Sequence, residues 1–145
     1  SYRAEDPIFC AMGQTGQPAS KAVRPPPIPL LIDPRVRAVV ALAPLGVVFS
    51  AQSLAKVRIP TAIYEAEKDR FLVPRFHAEW ITRNLPGADF HRVPNAWHFA
   101  FMDPPSMPIP SEDGDVGANP PGFDRQVFLR QVQHEIPLFF DKALR

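Results

Sequence analysis

Asp69 and His98 are the residues whose types and spacing suit joint acid–base chemistry. Asp69 comes three residues after an apolar segment ending at Ala66, in Glu65-Ala66-Glu67-Lys68-Asp69-Arg70. His98 follows a second such segment, in Val93-Pro94-Asn95-Ala96-Trp97-His98-Phe99-Ala100-Phe101, 29 residues further on. If the two segments are adjacent parallel strands with one helix between them, both side chains leave the same edge of a sheet. A carboxylate so placed holds an imidazole in one tautomer and stabilises its cation, as a hydrolytic triad requires. A histidine is more often a surface or structural residue. His77 and His134, in helical segments, are read that way, and His91 is read as a strand residue facing solvent. Glu65, Glu67 and Asp89 read as solvated charges. No two histidines stand at i, i+4 and no acidic cluster accompanies them, so neither a metal site nor a cofactor is expected.

A triad also needs a nucleophile. The elbow G-x-S-x-G requires glycines two before and two after the serine. The seven glycines are Gly13, Gly16, Gly46, Gly87, Gly114, Gly117 and Gly122, and none flanks Ser20, Ser50, Ser53, Ser106 or Ser111 in that way. Cys10 has Ile8 and Met12 at those offsets and fails as well. A nucleophile serving Asp69 and His98 is therefore expected outside these residues. The chain begins at Ser1 and not at Met, which fits an upstream segment.

The elements that must position the pair can be read from apolar runs and prolines. Val36–Ala43 is almost continuously apolar and ends at Pro44, the pattern of a strand buried on both faces. Residues 50–57 read as a short helix or turn. Residues 59–66 form a second strand, with Pro60 tolerable only at its start. Pro74 opens a helix to about Leu85, with Phe76, Trp80 and Ile81 on one buried face, and Pro86-Gly87 stops it. Residues 88–93 make a third strand. A long loop rich in Pro, Gly and Asp runs from His98 to about Gly122. Phe123–Leu144 repeats apolar residues at helical spacing and is predicted to be an amphipathic helix, kinked or split at Pro137.

This alternating order is that of a parallel α/β sheet. Three parallel strands are few, however, and one as apolar as Val36–Ala43 should be central. Further strands are expected on its outer side. Residues 1–32 supply none: they read as an irregular, Pro-rich connecting segment with one helical turn near Ile8, and residues 33–145 as the structured unit.

Composition excludes several other classes. The chain has 145 residues, 46% hydrophobic and 21% charged, so it is long enough to bury roughly two thirds of its unfolded surface and is not wholly disordered. A net charge of +1 with interspersed signs gives no footprint for nucleic acid or an anionic membrane. One cysteine excludes an intramolecular disulfide framework. The longest apolar run, Ala38–Phe49, is too short to span a bilayer and contains Pro44. The expectation is a soluble protein, with the choice among cytoplasm, periplasm and secretion left open.

Several motifs, in order, resemble the α/β-hydrolases, and more narrowly the bacterial dienelactone-hydrolase-like, platelet-activating-factor-acetylhydrolase-like esterases. Asp33-Pro34-Arg35-Val36-Arg37-Ala38-Val39-Val40-Ala41-Leu42-Ala43-Pro44 is similar to that group's sixth-strand motif. His98-Phe99-Ala100-Phe101 is similar to its histidine motif, and Pro120-Pro121-Gly122-Phe123-Asp124-Arg125, followed by a helix bearing Phe139-Phe140, to its C-terminal end. The family usually has Gly where this chain has Ala66 and Trp97, and often has cysteines where residues 102–121 have none.

The resemblance implies the C-terminal portion of an α/β-hydrolase fold, with Asp69 as triad acid, His98 as general base and a small ester as substrate. It also implies an N-terminal half with the elbow and oxyanion donors, as an upstream segment or, as the partner expected here, a separate chain. Trp97, Phe99 and Phe101 would then wall the substrate pocket beside His98, or instead pack the last helix. Two other readings stay open. The chain could be a non-catalytic fragment or binding module with a vestigial Asp/His pair, or the nucleophile could be Cys or Asp, as in dienelactone hydrolases proper and dehalogenases.

Overall fold

A computed structural model describes residues 2–12 and 33–145. The Pro25–Pro29 cluster and most of the connecting segment lie outside the described residues. Two short helices open the chain, α1 (Tyr2–Glu5) and α2 (Pro7–Met12), the second at the turn expected near Ile8. Then follow β1 (Val39–Leu42), α3 (Ala51–Leu54), β2 (Thr61–Ala66), a 3-10 turn at Pro74–Phe76, α4 (Ala78–Asn84) and β3 (Asp89–Val93). A second 3-10 turn at His98–Phe101, the strands β4 (Pro110–Ser111) and β5 (Gly114–Asp115), and the long helix α5 (Arg125–Ala143) complete it.

The first three strands form one parallel sheet in the order β1-β2-β3, flanked by helices. All six residues of β2 are buried, because it has a neighbour on each edge and helices over both faces. On one face Ala62, Tyr64, Ala66 and Val93 pack with Phe128 and Val132 of α5. On the other, Ile63 meets Leu54 of α3 and Ala78 and Ile81 of α4. This two-residue alternation along β2 is what a strand between two helical layers requires.

Val36–Ala43 departs from expectation. Only Val39–Leu42 is strand, it is half-buried, and Leu42 is 37% exposed. Among the described residues β1 is an edge, since only β2 pairs with it. Burial on both faces would need a neighbour on its other side.

The helix expected from Pro74 is broken at His77, whose backbone (φ −120, ψ −95) separates the 3-10 turn from α4. The cause is tertiary. The His77 ring turns into the interior, where Nε2 lies 2.8 Å from Oδ2 of Asp6 and Nδ1 accepts from the Gly46 amide at 3.1 Å. Its place is structural, as expected, but it is a buried junction and not a helical residue. His134 is exposed on α5. His91 is half-buried and does not point freely into solvent: its ring stacks on Tyr64 at 4.4 Å and pairs with Asp89 at 3.2 Å. Burial, reinforced by a hydrogen bond to Glu135, pushes the Tyr64 phenol up to about 12.

Glu65 is likewise not a solvated charge, being 2% exposed, whereas Glu67 and Asp89 are exposed. Its side chain falls on the Ile63 face of β2, where Arg92 Nε donates to Oε1 at 2.7 Å. Burial pushes this carboxyl up, and Arg92 opposes the shift.

α5 is capped by Asp124, which accepts from the Val127 amide at 3.0 Å, and continues through Pro137 without the predicted split. Pro137 is exposed, while Ile136 and Phe139 beside it pack on the core and hold the helix through the missing donor. Pro137→Ala restores that donor and removes the ring's clash with the preceding turn. It is expected to stabilise the chain by about 1–3 kcal/mol. Urea unfolding checks this; an unchanged or lowered midpoint would show that the helix has already relaxed around the proline. Among the described residues no helix is long and apolar enough to cross a membrane.

Candidate active site

The site is built where β2 and β3 end. Their register brings Ala66 beside Val93. The chain segments beyond them stay joined, because the Glu67 amide donates to Val93 O at 3.1 Å and the Lys68 amide to Ala96 O at 2.9 Å. Asn95 takes the positive φ (57°) that turns the second segment back, and its amide donates to Glu67 Oε2 at 2.8 Å. Carboxyl ends of neighbouring parallel strands are where open α/β sheets place reactive groups.

Asp69 is buried, and its two oxygens have separate tasks. Oδ1 accepts the amides of Phe71 (2.9 Å) and Leu72 (2.7 Å), which fixes the carboxylate on its own turn. Oδ2 lies 2.8 Å from Nδ1 of His98. A carboxylate can only accept here, so Nδ1 carries the proton and Nε2 of the neutral ring keeps its lone pair. Among the described residues nothing hydrogen-bonds Nε2. Phe71 stacks on the ring at 4.8 Å and Phe99 meets its edge at 4.9 Å, leaving the His98 side chain 16% exposed.

The Asp6–His77 pair has the same 2.8 Å separation and serves no such role. Both its ring nitrogens are engaged, and the side chain is 1% exposed. A base must have a free nitrogen that a substrate or nucleophile can reach; of these two buried carboxylates' partners, His98 has one and His77 does not.

The three aromatic residues named with the pair divide. Phe99 touches the His98 ring. Phe101 packs edge-on against Phe128 of α5 at 5.4 Å, so its place is in the core. Trp97 lies under the Arg70 guanidinium, 4.7 Å from the ring centroid. Arg70 was not visible as part of the site, and neither was Asp113, a buried carboxylate on the β4–β5 turn that pairs with Arg70 at 2.7 Å. Burial raises the Asp113 carboxyl, and Arg70 opposes the shift. Strands of two residues leave no alternation to read, so a sequence cannot announce this hairpin.

The hairpin is anchored from α5. Arg125, buried at the first position of the helix, donates to Asn119 Oδ1 at 2.7 Å, Ala118 O at 2.6 Å and Val116 O at 3.0 Å. Burial lowers its guanidinium below the usual range. A cavity of about 580 Å³ is lined by Phe9, Val47, Phe49, Phe76 and Trp80 together with Arg75 and Arg83, and neither Asp69 nor His98 borders it. Among the described residues no group of three or more His, Cys, Asp or Glu could hold a metal ion. No protein-family model, curated protein or solved structure matches this chain.

Proposed function

We propose that this chain supplies the acid and the general base of a serine-hydrolase-type site for carboxylic esters. One observation carries the reading: Asp69 fixes Nδ1 of His98 at 2.8 Å while Nε2 stays unbonded, at the carboxyl ends of two adjacent parallel strands. The similarity of the strand, histidine and C-terminal motifs to α/β-hydrolases supports the ester as substrate and serine as nucleophile.

In this mechanism His98 Nε2 takes the proton from a serine hydroxyl as the oxygen attacks the ester carbonyl. The resulting imidazolium donates the proton to the departing alcohol, leaving an acyl-serine. Water then repeats the sequence, giving up its proton to Nε2 as its oxygen attacks the acyl carbon, and the serine oxygen recovers the proton as it leaves. Asp69 stays ionised throughout and stabilises the imidazolium.

The serine must come from a segment bearing the elbow, which these residues lack. The outer edge of β1 suits such a partner. Val39 donates to Pro60 O and Ala43 to Tyr64 O, so alternate residues Val40 and Leu42 direct their amides away from β2. Val36 (51%) and Leu42 (37%) are exposed beside that edge. An open apolar edge is a template for strand addition.

The experiment is labelling of the assembled protein with a fluorophosphonate, a probe for activated serine. Labelling that is lost in His98→Ala supports the reading. Absence of labelling, or labelling indifferent to His98, would overturn it. Labelling by iodoacetamide alone would move the nucleophile to cysteine.

A further inference from the structure

Arg70 follows Asp69 and Trp97 precedes His98, so the neighbours of the pair are themselves in contact. The Arg70 guanidinium lies over the Trp97 ring at 4.7 Å. It is held there by two atoms of one residue: Nε lies 2.7 Å from Asp113 Oδ1, and a terminal nitrogen donates to the Asp113 carbonyl at 2.7 Å. The Asp113 side chain is 3% exposed, while that of Arg70 is 56% exposed. The carboxylate is therefore the buried end of this contact and the guanidinium the exposed one. The tight turn at Asp113 is set locally, since Ser111 Oγ donates to Gly114 O at 2.6 Å and Gly114 takes a φ of 113°.

We propose that Asp113 is a positioning residue for Asp69 and His98, acting through Arg70 and Trp97 as a brace between the two turns that carry them. The inference rests on the reading of that pair as the site. An ion pair with one partner largely exposed adds little net stability, and the best-attested use of a buried charge in such a pair is to fix one arrangement over others. Here the arrangement fixed is the separation of two loops whose side chains must stay within hydrogen-bond reach. The stacked guanidinium adds an orientation requirement that a lysine ammonium would not reproduce.

The test follows the His98 Nδ1 proton in the 145-residue chain by NMR. Hydrogen-bonded to a buried carboxylate, this proton gives a far-downfield signal, and its exchange with water reports how firmly the pair is closed. Asp113→Asn and Arg70→Met are each expected to speed that exchange about tenfold, and the double variant no further, because the two residues act as one unit. Leu54→Ala opens the core between α3, α4 and the sheet and leaves the brace untouched. It is expected to lower stability and leave the proton unmoved. Arg70→Met keeps the test open if Asp113→Asn fails to fold, since the arginine side chain is mostly exposed.

Unchanged exchange in Arg70→Met, or additive effects in the double variant, would overturn the brace. The readout needs no turnover. Faster exchange in these variants, with no fluorophosphonate labelling of the assembled protein, would retain the brace and sink the hydrolase reading, and labelling of the assembled protein with unmoved exchange would do the reverse.

Discussion

Asp69→Asn is expected to lower kcat of the proposed hydrolase, assembled with its nucleophile, about 10⁴-fold with little loss of stability. The direction follows from the turn that holds Asp69. The amides of Phe71 and Leu72 both donate to Oδ1, so an asparagine keeps its carbonyl oxygen there and turns its amide nitrogen toward His98. That nitrogen donates, and Nδ1 must then accept. The ring's proton moves to Nε2, where the lone pair needed for the serine proton was. The fold is undisturbed because the turn keeps both its hydrogen bonds. His98→Ala removes the base itself and should cost a similar factor. Ester hydrolysis beside thermal unfolding checks both, and a kcat within tenfold of the parent in either variant would end the assignment.

Gly46→Ala is expected to cost about 3 kcal/mol or more, at the upper end of what overpacking costs in a close-packed interior. A Cβ at Gly46 would lie 2.4 Å from the His77 carbonyl oxygen, 2.6 Å from its Cα and 2.8 Å from its carbonyl carbon. All three are backbone atoms, and they have nowhere to go. His77 N donates to Pro74 O, His77 O accepts from Ile81, and the ring is tied to Asp6 and to Gly46 itself. Relief would break the junction between the 3-10 turn and α4 or undock α2. Urea denaturation measures the cost. A loss under about 0.5 kcal/mol, the scale of an ordinary surface change, would show that this junction is soft.

Sequence patterning foretold what depends on neighbours in the chain and missed what depends on distant ones. β2, β3 and α5 were legible because alternation and helical spacing are local signals, and the α5 face of Phe128, Val132, Ile136 and Phe139 is the one that meets the sheet. The break at His77 was not legible, because its cause is Asp6, 71 residues away. Glu65 was misread for a similar reason: an acidic residue in a strand looks solvated until Arg92 of the adjacent strand is seen beside it. Pro137 was overweighted, since packing on both sides of it outweighs one lost hydrogen bond.

At the site, Asp69 and His98 could be paired because strand order alone places them together. Arg70 and Asp113 needed a hairpin whose strands are two residues long. Phe101 could not be assigned to core or pocket without its contact to Phe128.

The sequential order β1-β2-β3 has a consequence for how the site comes into being. The pair is closed by a single β2-α4-β3 crossover, residues 61–98, with carboxylate and ring 29 positions apart in the chain. Closing a loop of that length costs about 3 kcal/mol of chain entropy beyond a constant, and the buried β2 core is at hand to offset it. The Asp69–His98 contact is thus closed by a nearly local element, whose core α5 completes. In the mechanism proposed above, a segment bringing the nucleophile would then meet a carboxylate and an imidazole already in register.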